Sequence, residues 1–105
     1  MDLPHADPKL LNLALQLSLE WGPHYRKPIR SRLRKLCPDV TPAQADELDV
    51  FARKTREWAH ELIARSFGDG APPEQSRAQI AEALPWIDAS TLRRLWGQGC
   101  FYAVK

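Results

Sequence analysis

The stretch 41–68, TPAQADELDVFARKTREWAHELIARSFG, constrains the fold more than any other. Thr41 stands where a helix N-cap belongs. Pro42 follows at the first helical position, where a missing N–H does no harm, and Gln44 can reach back to close a capping box. Asp46, Glu47 and Asp49 lie near the positive end of the helix dipole. Ala45, Leu48, Phe51, Ala52, Thr55, Trp58, Ala59, Leu62, Ile63 and Phe67 then recur along one side at helical spacing, and Gly68 supplies a stop. Asp49 with Arg53, and Glu61 with Arg65, are spaced four apart, as surface ion pairs on a helix require. At 1.5 Å per residue the rod is roughly 40 Å long. In a chain of 105 residues it is a spine along which everything else must pack.

The segment 8–21, PKLLNLALQLSLEW, nearly alternates apolar and polar residues from Leu11 onward, which is a strand signal. None of its residues is β-branched, however, which argues against a strand. As a helix it has Asp7 as cap and Pro8 in the first turn. Leu10, Leu13, Ala14, Leu17 and Trp21 form one face, which Leu11, Leu15 and Leu19 widen enough to be covered from two sides. A second helix is expected over 28–37, with Ile29, Leu33, Leu36 and Cys37 on its apolar face and Pro38 as terminator. The loop 68–76, GDGAPPEQS, separates the spine from two short helices, 74–84 and 89–97. The segments 1–7 and 98–105 are read as candidate flexible ends. With 44% apolar and 27% charged residues, the composition is that of an ordinary globular domain. The expected architecture is a single all-α domain of about five helices with a long central third helix.

A shift of 47 residues superimposes two parts of the sequence. Leu33 falls on Ile80, Cys37 on Leu84, Pro38 on Pro85, Val40 on Ile87, Thr41 on Asp88, Ala45 on Leu92 and Leu48 on Leu95. Each part spells helix, proline, any residue, Val or Ile, cap, helix. The proline ends the incoming helix, and Val40 or Ile87 can pack against the residue four positions into the next one, as a hydrophobic staple. The second copy, IAEALPWIDASTLRRL, also resembles the helix-turn-helix pattern of DNA-binding proteins. Ile80, Ala81 and Leu84 would lie on its first helix and Leu92 and Leu95 on its second. Pro85 replaces the usual turn glycine, and the turn is one residue longer. The resemblance implies that Ser90, Arg93 and Arg94 would face the major groove and the phosphates.

Net charge is only +2, too little to indicate nucleic acid or an anionic membrane by itself. The charge is unevenly placed. Between Glu20 and Asp39 there is no acid, whereas Arg26, Lys27, Arg30, Arg32, Arg34 and Lys35 all fall there. Lys27, Arg30 and Arg34 are expected on one flank of the second helix. With Trp21 and Tyr25 upstream, this region suits an acidic protein partner or single-stranded nucleic acid. Of the four tryptophans, Trp58 belongs to the core, while Trp86 and Trp96 with Phe101 and Tyr102 are candidates for an exposed contact surface.

Two widely separated cysteines, Cys37 and Cys100, form neither a disulfide framework nor a zinc site, and a reducing cytosol is expected. Glu57 and His60 are three apart, but no second Glu-x-x-His accompanies them, so no metal or cofactor is implied. No nucleophile, phosphate-loop or zinc-protease motif is present to suggest an enzyme. No run approaches the ~18 apolar residues of a membrane span. The sequence therefore points to a small non-enzymatic interaction module of a bacterial-type cytosol. It would bind a protein or itself, with nucleic-acid binding as the alternative. The candidate contact residues are Arg26, Lys27, Arg30, Arg34, Trp86, Arg93, Arg94, Trp96 and Phe101.

Overall fold

The computed structural model describes residues 3–25 and 27–104. Among these, five α-helices are present and no strand: α1 (Pro8–Ser18), α2 (Arg30–Leu36), α3 (Pro42–Gly68), α4 (Pro73–Ala83) and α5 (Ala89–Ala103), with a single 3-10 turn at Gly22–His24. The capping box expected for α3 is formed. Thr41 accepts a hydrogen bond from the Gln44 N–H at 3.1 Å, and the Gln44 side chain accepts one from the Thr41 N–H at 2.9 Å. The 27 residues of α3 run along the longest dimension of the molecule, 44 Å, and touch all four other helices.

Three helix boundaries and one ion pair differ from expectation. α1 stops at Ser18, so Trp21 leaves the helix and is 53% exposed. α2 starts only at Arg30, which places Lys27 ahead of the helix rather than on its flank, and Leu36 points outward. α5 does not stop at residue 97 but runs through Gly97 and Gly99 to Ala103, so most of the expected loose end is helix. Asp49 is not paired with Arg53. It accepts from the Ile29 N–H at 3.1 Å and faces the Arg30 guanidinium at 3.7 Å, anchoring the start of α2 to α3. The Glu61–Arg65 pair is present at 3.4 Å.

The two corners are geometrical copies. Cys37 and Leu84 leave their helices at φ, ψ of −127°, 82° and −120°, 72°, and Thr41 and Asp88 start the next at −73°, 159° and −85°, 166°. The bonds repeat as well: Cys37 N–H to Leu33 O at 2.8 Å matches Leu84 N–H to Ile80 O at 2.9 Å, and Val40 and Ile87 each donate backward at 3.0 Å. One detail differs. The residue matching Gln44 is Thr91, which is too short to reach back to the cap N–H. That N–H, on Asp88, is satisfied instead from α1: Asn12 Oδ1 accepts it at 2.9 Å, while Asn12 Nδ2 donates to Trp86 O at 2.9 Å and Pro8 O at 2.8 Å. Gln16, one turn on, donates to Thr91 Oγ1 at 2.7 Å.

The far end of α1 is held in the opposite sense. The last carbonyls of a helix lack partners within it and carry its negative dipole end. Here Leu17 O accepts from Arg32 at 3.2 Å, Ser18 O from Arg56 at 2.9 Å and Leu19 O from Gln98 at 3.0 Å. α2, α3 and α5 each contribute one donor. Around this framework lie two apolar clusters. One contains Leu11, Ala14, Ile29, Leu33, Leu48 and Phe51, and the other Leu15, Leu19, Ala59, Ile63, Ile80 and Leu95; Trp86 packs against both.

Candidate functional site

Three arginines of the basic run are engaged by the fold, while Lys27 and Lys35 are exposed. Arg30 faces Asp46 at 3.3 Å and Asp49 at 3.7 Å. Arg34 donates from Nε to Val40 O at 3.4 Å, within its own corner. Arg32 is only 16% exposed; it pairs with Glu20 and also donates to the carbonyls of Leu17, Lys27 and Pro28. Lys27 is exposed, and Arg26 lies outside the described residues. The absence of acids between Glu20 and Asp39 reads as a basic surface in sequence. In three dimensions Glu20, Asp46 and Asp49 come to it from neighbouring elements.

The tryptophans also part company. Trp86 is half-buried, its ring 5.5 Å from that of Phe51, and lines a cleft of about 300 Å3 with Leu3, Trp58, Leu84 and Pro85. Trp96 is half-buried, donates from Nε1 to Ser76 Oγ at 3.3 Å and lies under the Arg77 guanidinium at 5.8 Å. Neither joins Phe101.

Phe101 meets a different set. The sequence WGPHY, 21–25, folds into the 3-10 turn, with Gly22 at φ +82°, a left-handed conformation that a side chain would strain. The turn stacks Trp21 on Tyr25, with centroids 5.2 Å apart and planes 16° apart. The last turn of α5 completes the cluster. Trp21 lies 5.6 Å from Phe101 and 6.0 Å from Tyr102, Tyr25 lies 6.4 Å from Tyr102, and His60 lies 5.5 Å beneath Tyr102. Trp21 and Phe101 remain 53% and 50% exposed.

Beside these rings an open groove of about 520 Å3 runs along α5, lined by Leu19, Glu20, Trp21, Arg93, Arg94, Gly97, Gln98 and Phe101. Arg93 has no hydrogen-bond or ion-pair partner among the described residues, and Arg94 reaches only Gln16 Oε1, at 3.5 Å. Gln98 is 95% buried, with 5% exposure. Its Nε2 is held by Leu19 O, while its Oε1 accepts nothing from the described residues. The groove thus combines aromatic walls, a cationic rim and a fixed acceptor. Of the residues singled out from sequence, Arg93, Arg94 and Phe101 meet here; Arg30, Arg34, Trp86 and Trp96 do not. Trp21 and Gln98 were missed as groove residues. The Trp-Gly-Pro turn was the available signal for Trp21, and none existed for Gln98.

Chemistry for catalysis is sparse. Burial pushes the Cys100 thiol up from its ordinary range, which keeps it protonated at neutral pH. Among the described residues no three His, Cys, Asp or Glu side chains converge on a metal position, and no helix is long and apolar enough to cross a membrane. The chain matches no protein-family model, no curated protein and no solved structure.

Proposed function

We propose that the protein is a small non-enzymatic interaction module of the cytosol that docks a protein partner on the groove of α5. The observation that carries this reading is the exposed Trp21–Phe101 pair beside Arg93. Exposed aromatic rings next to an unpaired guanidinium are the composition of an interface hot spot. Two large side chains left half in water gain little for the fold and much for association. The free thiols of Cys37 and Cys100 are consistent with a reducing compartment.

Nucleic-acid binding is the second reading. It draws on one observation: Ser90, Arg93 and Arg94 are all exposed on α5, the helix that follows the second corner. It loses support from α2, whose Arg30 and Arg34 are engaged internally, and α2 makes no contact with α5.

The test is a photo-crosslinking residue placed at Phe101 in one variant and at Leu36, also exposed but distant in sequence, in another, each expressed in cells. Protein adducts from position 101 and not from 36 are the expected result. Adducts that disappear on nuclease treatment would establish the second reading in its place, and the absence of any adduct at 101 would overturn both.

A further inference from the structure

Gly97 has no use inside the molecule. It sits within α5, where glycine is unfavourable by roughly 1 kcal/mol relative to alanine. A Cβ added there would meet nothing within 4 Å, and its φ is not in the left-handed range. Gly99, two residues on, is the opposite case: a Cβ there would overlap Ile63 Cδ1 and lie 3.3 Å from His60 Cδ2. Folding therefore accounts for Gly99 and not for Gly97, and Gly97 lines the groove.

The residues around Gly97 are disposed symmetrically. Arg93 precedes it by four positions and Phe101 follows it by four, one helical turn either way on the same face. If a second α5 crosses antiparallel with its two-fold axis at Gly97, Arg93 of each copy falls opposite Phe101 of the other, and Arg94 opposite Cys100. Each guanidinium then approaches a half-exposed ring and the negative end of the facing helix, both favourable to a cation. The arginines of the two copies stand about 12 Å apart along the axis at 1.5 Å per residue. That exceeds the Debye length of ~8 Å at physiological salt, so their repulsion is screened. The missing side chain at the crossing lets the backbones approach, and Oε1 of Gln98 stands ready as an acceptor beside it. A surface whose residue i meets j while j meets i is what a two-fold dimer requires.

We propose that the occupant of the groove is a second copy of this chain, with the two α5 helices crossing antiparallel at Gly97. This rests on the reading of the groove as a protein-docking surface and adds the identity of the partner.

The experiment is sedimentation velocity on the purified full chain across a micromolar-to-submillimolar series, with Gly97→Leu and Arg93→Glu alongside. The wild type is expected to move from monomer toward dimer. Both variants should remain monomeric while keeping the wild-type circular dichroism spectrum. In a Cys37→Ser, Cys100→Ser background, Gly97→Cys should form a covalent dimer on mild oxidation, because a residue on a two-fold axis meets its own copy. Glu47→Cys, on the exposed side of α3, should not. A wild type that is monomeric throughout, or a Gly97→Leu variant that dimerises as well as wild type, overturns the proposal. The broader reading fails separately. It survives if the position-101 photo-crosslinker captures a different protein, and falls if that position captures none.

Discussion

Replacing Asn12 by alanine tests the most specific structural claim, that α1 closes the second corner. Asn12 is 5% exposed and makes three hydrogen bonds of 2.8–2.9 Å, two of them to the corner. Pro8 O keeps a helical partner after the change, but Trp86 O and the Asp88 N–H lose theirs. A buried group left without its partner costs ~1–3 kcal/mol. Asp88 is exposed enough for water to replace part of its loss, so the sum is about 2–4 kcal/mol. At ~4–8 °C per kcal/mol for a domain near this size, the melting temperature should drop by roughly 8–30 °C. Asn12→Leu, which restores volume without polarity, should fall nearly as far. Thermal unfolding followed by far-ultraviolet circular dichroism gives the magnitude. Amide exchange gives the mechanism: the Asp88 N–H should be protected in the wild type and exchange freely in either variant, while the Thr41 N–H, bonded to Gln44, stays protected in all three. A drop below about 3 °C, less than 1 kcal/mol on the same scale, would refute the argument. So would an unchanged Asp88 exchange rate. Water would then serve the corner as well as Asn12 does.

The two glycines of α5 should respond in opposite directions. Gly97→Ala should stabilise the monomer fold by ~1 kcal/mol through helix propensity. Gly99→Ala gains the same propensity but forces the buried Ile63 to shift, an overpacking cost of ~1–3 kcal/mol, so denaturant melts should show it no more stable than wild type. Arg32→Lys keeps the charge but loses the fork that reaches Glu20 and the carbonyls of Leu17, Lys27 and Pro28. A loss of ~1–3 kcal/mol in a urea melt is expected, against almost none for the exposed Lys35→Ala. Hydrogen bonds from Thr91 hold the Asp88 carboxyl below its ordinary 3.8. Its cap stabilises the fold fully above that value, and the contribution is lost as pH falls through the lower folded-state pKa. Asp88→Asn, an equally good cap, should match wild type at pH 7 and show a shallower loss of stability in acid melts.

Elements whose ends are written in local chemistry were legible in the sequence. The capping box of α3, the Asp7 and Asp88 caps and the duplicated Pro-x-Val/Ile corner all depend on residues within four positions of one another. Their repeat even carried over to matching backbone angles. What depended on distant partners was not legible. Nothing near Asn12, Gln16 or Gln98 marks them as ties between α1 and α5. The basic run from 26 to 35 looked like a surface because Asp46 and Asp49, the acids that engage Arg30, lie a helix away, and Glu20, which engages Arg32, lies just past the end of α1. Tryptophan alone does not say which side of the surface it takes. Trp86 and Trp96 pack inward, while Trp21 turns out because α1 ends at Ser18, before it. The groove is legible only after α5 is seen to continue past its glycines.

The unequal closure of the two corners has a consequence for the order in which the chain acquires structure. The first corner completes itself from residues 33–44, so it can form as soon as that segment exists. The second borrows Asn12 from 76 positions away, and Gln98 reaches back 79 positions to Leu19. During synthesis, Ala59 and Ile63 of α3 can cover the side of α1 bearing Leu15 and Leu19, but that side lacks the rest of its cover until α5 emerges. A chain truncated before α5 would keep its first corner yet lose Leu95 and the Gln98 tie from that apolar strip, and the surface so exposed favours aggregation over partial function.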